Sequence, residues 1–195
     1  MPFIKTIPEA EASGDVRKMY DDDRKGKNYL PNYSKVFSLR PAVKEAWNGL
    51  LKSIKSNMDA RRYELVTVAA ARALKSSYCM LAHGSILGEK FYTPAQVAFI
   101  AQKPAGSPLT EAETAMMDFA EHVVRDASSI TQQEIDTLRA HGFTDVEIFD
   151  ITAAATARCF FSKTLDALGA EADREYRSLD DQLRNALTVG RPIAD

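Results

Sequence analysis

Apolar residues recur three and four positions apart along most of this chain, and nowhere do they alternate over the length of a strand. Val43, Trp47, Leu50, Leu51 and Ile54 fall on one face of a helix opened by Pro41 in its first turn. A thinner pattern interrupted by Gly14 predicts a helix from Glu9 to Lys25, and a short helical piece covers Tyr33 to Leu39. Asp59 is placed to cap an apolar, Ala-rich helix through Leu74, and Gly88 is placed to end its successor. Thr93-Pro94 starts a helix through Lys103, followed by the loop Lys103 to Pro108. Thr110 with Glu113, Thr131 with Glu134, and Thr144 with Glu147 read as capping boxes, with stops at Gly142 and Gly169. Asp173 to Leu187 predicts a last amphipathic helix, and the tail around Pro192 reads as loose. The expectation is an all-α chain with one domain over residues 1–195 and seven to nine helices.

Chemistry concentrates between Glu64 and His83, which hold one of two cysteines and one of three histidines. Cys79 and His83 stand four apart, so a helix puts thiol and imidazole on one face. An imidazole there can take the thiol's proton, and the thiolate is the reactive form. Lys75-Ser76-Ser77-Tyr78 supplies cap-forming residues just before Cys79. This reads as a turn between two helices, with Cys79 in the first turn of the second, where the positive helix end favours a thiolate. In one straight helix, Glu64 would lie roughly 22 Å from Cys79 along the axis. A chain reversal near Ser76 removes that separation and gives the order Cys79, His83, Glu64, with a water in the last gap.

Composition narrows the function. The chain has 195 residues, is 45% hydrophobic and 27% charged, and carries a net charge of −2 with acids and bases interspersed. These values suit one soluble domain with a hydrophobic core and give no reason to expect nucleic acid or an anionic membrane as partner. No apolar run approaches the roughly 20 residues of a membrane span, and the first residues lack a signal-peptide core. Two cysteines 80 positions apart make no disulfide framework, so a reducing cytoplasm is expected.

The remaining residues read as structural. Trp47 reads as core, and Cys159, in a small-residue helix, as a buried structural cysteine rather than a resolving thiol. His122 and His141 read as surface residues, the latter at a helix C-terminus. Cys79, His83 and Glu64 would supply three metal ligands, but no second pair stands at zinc-like spacing, so no metal is expected. No glycine-rich phosphate loop is present, and no cofactor is expected.

Glu64, eleven residues, Ser76-Ser77-Tyr78-Cys79, three residues and His83 resemble the Glu…Cys-x-x-Cys…His signature of the AhpD-like alkylhydroperoxidase and carboxymuconolactone decarboxylase superfamily. Ser76 stands where its redox members have the first cysteine. The stretches Leu30 to Val43 and Cys159 to Gly169 resemble its peroxidase-related branch, so the likeness covers nearly the whole chain. The resemblance implies an AhpD-like helical bundle in which Cys79 attacks a hydroperoxide, assisted by His83 as base and Glu64 as polarising acid. Ser76 would cap the Cys79 helix and donate to the thiolate, and Tyr78 would cover the thiol. Without a resolving cysteine, Cys79 would act alone as an antioxidant peroxidase and be reduced by an external thiol or dithiol. Two alternatives stay open: a decarboxylase-like acid–base enzyme built on His83 and Glu64, and a non-enzymatic scaffold with a decayed site. Family members are usually homo-oligomers, and apolar helices such as Ala112 to Val124 look wider than one core needs, so a dimer or larger is expected.

Overall fold

The computed structural model describes residues 2–102 and 108–195. Its described residues form ten α-helices: α1 (Gly14–Arg24), α2 (Asn32–Phe37), α3 (Pro41–Lys55), α4 (Ala60–Ala73), α5 (Ser77–Lys90), α6 (Pro94–Gln102), α7 (Glu111–Asp126), α8 (Gln132–Ala140), α9 (Asp145–Ala167) and α10 (Asp181–Leu187). Nine of these run to seven residues or more, and the described residues contain no β-strand. The fold is all-α.

The Ala-rich helix is the axis of the bundle. Every residue of α4 from Tyr63 to Ala71 is buried, because small alanines let α5, α7 and α9 approach it closely. Asp59 caps α4 by accepting from the Arg62 N–H at 3.0 Å. All three expected capping boxes form, at the starts of α7, α8 and α9. His141 occupies the C-cap of α8, followed by Gly142 at φ +90°.

The helix boundaries differ from the sequence expectation in three places, and the tail differs too. The Glu9–Lys25 segment splits into a 3-10 turn (Glu9–Glu11) and α1, with Gly14 at φ +50° opening the helix rather than interrupting it. Gly88 does not end α5, which continues to Lys90. The last helix breaks in two: a 3-10 turn (Arg174–Ser178) precedes α10, which Asp180 caps. The tail is pinned: Ala194 N–H donates to the Ala172 carbonyl at 2.9 Å, and Arg191 donates to the Asp166 carbonyl. The expected loop at Lys103 to Pro108 lies, but for Pro108, outside the described residues.

Two faces fare differently from the sequence reading. On α3, Trp47 and Ile54 are buried, whereas Val43 and Leu50 are exposed. The apolar breadth of α7 is consumed at home: Met116, Met117, Phe119, Ala120 and Val123 all enter the chain's own core. Uncovered apolar surface appears instead on α9, where Val146 and Phe149 are each 70% exposed and Phe160 45%.

Candidate active site

The reversal expected near Ser76 is a helix-ending turn in which Ser76 N–H donates to the Ala71 carbonyl and Lys75 N–H to the Arg72 carbonyl, both at 3.0 Å. Lys75 takes the left-handed conformation at φ +55°, a position usually given to glycine. The tail reinforces this turn: Gly190 N–H donates to Ser77 Oγ at 2.8 Å. A Cβ on Gly190 would fall 2.0 Å from the Lys75 carbonyl oxygen, so only glycine fits that approach.

Past the turn, Cys79 sits in the first turn of α5 and is 1% exposed. His83 lies one turn further on, and its Nδ1 meets Glu64 Oε2 on α4 at 2.5 Å. The gap in the expected relay is therefore misplaced: imidazole and carboxylate meet directly, and no hydrogen bond joins His83 to Cys79. Donation from Nδ1–H to Glu64 fixes the tautomer that leaves Nε2 as the acceptor. Burial pushes the His83 pKa below its ordinary value, with Arg158 adding to the shift and Glu64 opposing it. The ring is therefore neutral at physiological pH and able to accept a proton.

The sulfur's polar partners come from α9. Ser162 Oγ donates to Cys79 Sγ at 3.1 Å, and Arg158 Nη1 lies 3.7 Å from the same sulfur. Arg158 Nη2 donates to Tyr63 Oη at 3.0 Å, and its Nε is buried without a partner. The guanidinium also lies over the Trp47 and Phe161 rings, at 5.5 and 5.6 Å from their centroids. Arg158 and Ser162 were not legible in the sequence. The signal was there in part: an arginine inside an otherwise small and apolar run, with a serine one turn on.

Ser76 and Tyr78 occupy other places than their expected roles require. Ser76 is the N-cap residue of α5, but its side chain makes no capping bond, and its buried Oγ makes no hydrogen bond of ordinary geometry. It neighbours Asp166, whose ionised form it favours against the burial that raises that carboxyl. The donor to sulfur is Ser162 instead. Tyr78 Oη donates to Asp173 Oδ2 at 2.8 Å and accepts from Tyr33 N–H at 3.2 Å, which ties α5 to α2 and to the segment before α10. Asp173, buried and raised in pKa by that burial, also accepts from Asn32 N–H at 2.7 Å. Tyr78 is thus a structural strut beside the thiol.

Two further groups were judged from sequence. Cys159 is partly exposed rather than buried, and both cysteines are free. His122 Nδ1 meets Glu134 at 2.5 Å and its Nε2 meets Ser129 Oγ at 2.6 Å, a surface chain that braces α7 against α8. Among the described residues, no group of three or more His, Cys, Asp and Glu side chains is placed to hold a metal ion. No helix among them is long and apolar enough to cross a membrane. Surface cavities of about 270 Å³, beside Lys44, and about 40 Å³, beside Arg62, are not lined by Cys79.

Known structures share this arrangement of helices. An uncharacterised peroxidase-related protein with an AhpD core, from Ralstonia eutropha JMP134, superposes with a TM-score of 0.80 at 22% identity, covering 90% of this chain and 94% of its own. The chain has the AhpD-like fold. A peroxidase-related protein from Silicibacter sp. TM1040 superposes at 0.78 with 21% identity, covering 88% and 92% of the two chains. A cysteine-to-alanine variant of the debrominase Bmp8, in complex with 2,3,4-tribromopyrrole, superposes at 0.73 with 16% identity, covering 94% and 97%. No protein-family profile and no curated protein sequence matches the chain. At these identities the likeness fixes the fold alone, and function rests on the site.

Proposed function

We propose that this protein is a thiol-dependent peroxidase that uses Cys79 as its single reacting cysteine. The observation that carries the reading is a buried helix-start thiol one helical turn from a neutral His83 that Glu64 holds from the adjoining helix. Cys79 would attack a peroxide oxygen and become a sulfenic acid, while the peroxide leaves as an alcohol or water. With Ser76 in place of a resolving cysteine, an external thiol or dithiol would reduce the sulfenic acid. Burial of the sulfur, 1% exposed, favours hydrogen peroxide and small organic hydroperoxides. Peroxide treatment followed by sulfenate trapping and intact mass tests this, and one adduct on Cys79 is expected. No adduct and no gain in mass would sink it. A Cys79→Ala variant that keeps an activity would favour the decarboxylase-like reading, and bromide release from a bromopyrrole would favour debromination.

The protein would also act as a homo-oligomer. Val146, Phe149, Ala153, Thr156 and Phe160 form an outward stripe on α9 at alternating spacings of three and four. An antiparallel pairing about Ala153 sets Val146 against Phe160 of a second copy, with the small residue at the crossing. Light scattering should give a dimer or larger, and Phe149→Glu should shift it towards monomer. A monomeric wild type at micromolar concentration would refute this.

A further inference from the structure

Arg158 differs from the other cations in the interior. Lys44 is 3% exposed and sits 2.9 Å from Asp23. Arg72, largely buried, meets Glu121 at 2.5 Å and donates to the Ile100 carbonyl at 2.7 Å. Arg158 is 3% exposed, yet among the described residues no carboxylate bonds to it. Its polar neighbours are a phenol and a thiol. Two aromatic rings shield it from water, and one N–H is left over. A guanidinium cannot shed its proton in a protein, so a desolvated one demands an anion. Burial raises the pKa of the Tyr63 phenol, which holds that neighbour in its neutral form. The remaining ionisable partner is the sulfur.

We propose that Arg158 is a further catalytic residue, which holds Cys79 as a thiolate and then receives the oxygen expelled from a hydroperoxide. This rests on the peroxidase reading only in its second half. In the resting site Cys79 is a thiolate held by the guanidinium and the Ser162 hydroxyl, its proton released to solvent, while His83 stays neutral. A lone pair of Cys79 Sγ attacks the nearer peroxide oxygen; the S–O bond forms and the O–O bond breaks. The departing alkoxide or hydroxide is met by the unused Arg158 N–H and takes a proton that the neutral His83 relays from solvent. Cys79 is oxidised to the sulfenic acid, and the peroxide is reduced to an alcohol or water. One molecule of external thiol then displaces water to give a mixed disulfide, and a second releases Cys79 and the thiol's own disulfide. In this scheme α9 supplies the fixed positive charge, and α4 and α5 supply the proton relay.

The test compares iodoacetamide alkylation and peroxide oxidation in wild type, Arg158→Met and Arg158→Lys, with thermal unfolding confirming that each variant is folded. A neighbouring cation commonly shifts an anion's protonation equilibrium by tenfold or more, so Arg158→Met should alkylate about tenfold or more slowly at neutral pH. Its pH profile should also move to more alkaline pH, with Arg158→Lys recovering part of both. Equal rates in wild type and a folded Arg158→Met overturn the proposal. If the Met variant does not fold, the ultraviolet thiolate absorbance of wild type decides. Absorbance present at pH 7 supports the ion pair, and its appearance only in the range of a free cysteine overturns it. Rapid alkylation of wild type without peroxide oxidation would overturn the peroxidase reading and the oxygen-receiving role, while the thiolate-holding role stands.

Discussion

Two regions meet at Cys79 and were written into the chain in opposite ways. In the α4–α5 pair, Glu64 and His83 lie 19 positions apart, joined by one turn, and their spacing alone brings them together. On α9, Arg158 and Ser162 lie 79 and 83 positions from the cysteine they touch, and only the packing of the bundle puts them there. The near region supplies the thiol and the neutral imidazole, for which we propose the roles of nucleophile and base, and the far region supplies the groups in contact with sulfur. A short motif can therefore locate a candidate cysteine without revealing which groups touch its sulfur.

The contrast can be broken at several points. The largest effect belongs to Cys79→Ser, which should lower peroxidase turnover by about a thousandfold or more, because no other thiol takes over the attack. Retained turnover would move the chemistry to Cys159. His83→Asn and Glu64→Gln should each cost about a hundredfold, and the double variant little more than either alone, since the two act as a unit. Additive losses would mean that the pair works separately.

The same unit predicts a pH response. His83 has a lowered pKa in the fold, so the acid limb of the rate profile should lie below about 6.5. A limb at or above that value would contradict a buried neutral ring. Its contribution to stability is whole above the unfolded pKa. That contribution is lost as the pH falls from there to the folded pKa, because the unfolded chain takes up a proton that the folded ring resists. Acid titration of the unfolding midpoint in wild type and His83→Asn measures this.

Smaller effects separate contact from support. Ser162→Ala removes one neutral hydrogen bond to sulfur and should slow alkylation by roughly threefold to tenfold, an effect worth about 1 kcal/mol. Tyr78→Phe should leave the rate of alkylation unchanged and lower stability by about 1–3 kcal/mol, because Asp173 loses its buried donor. A rate loss in Tyr78→Phe beyond that seen with Ser162→Ala would return Tyr78 to the reacting groups.

Most of the fold was legible because its signals are local. The Asp59 cap and the three capping boxes depend on residues three apart, and each forms as read. The split of the Asp173–Leu187 segment was not legible, since Asp173 serves Tyr78 and Asn32 across the molecule rather than a local helix. Within the site, the reversal near Ser76 followed from spacing, whereas the direct His83–Glu64 contact replaced an expected water. Ser76 was misjudged because a helix-capping residue type needs a reachable N–H, and here its hydroxyl makes no capping bond. Arg158 and Ser162 escaped because nothing in sequence tells the inner face of a helix from its outer one when two adjacent phenylalanines differ as Phe160, 45% exposed, and the buried Phe161 do.

The clasp of Gly190 on the turn before Cys79 also orders events in time. Ser77 and Gly190 stand 113 positions apart, among the most distant partners in the molecule. A chain synthesised from its N-terminus makes α4 and α5 early, and the closing of long loops follows slowly. Until α9 and the tail have docked, Cys79 is an open thiol like any other, without its cation and without its cover. The cysteine of the proposed site is thus made well before the cation and the cover that complete its surroundings.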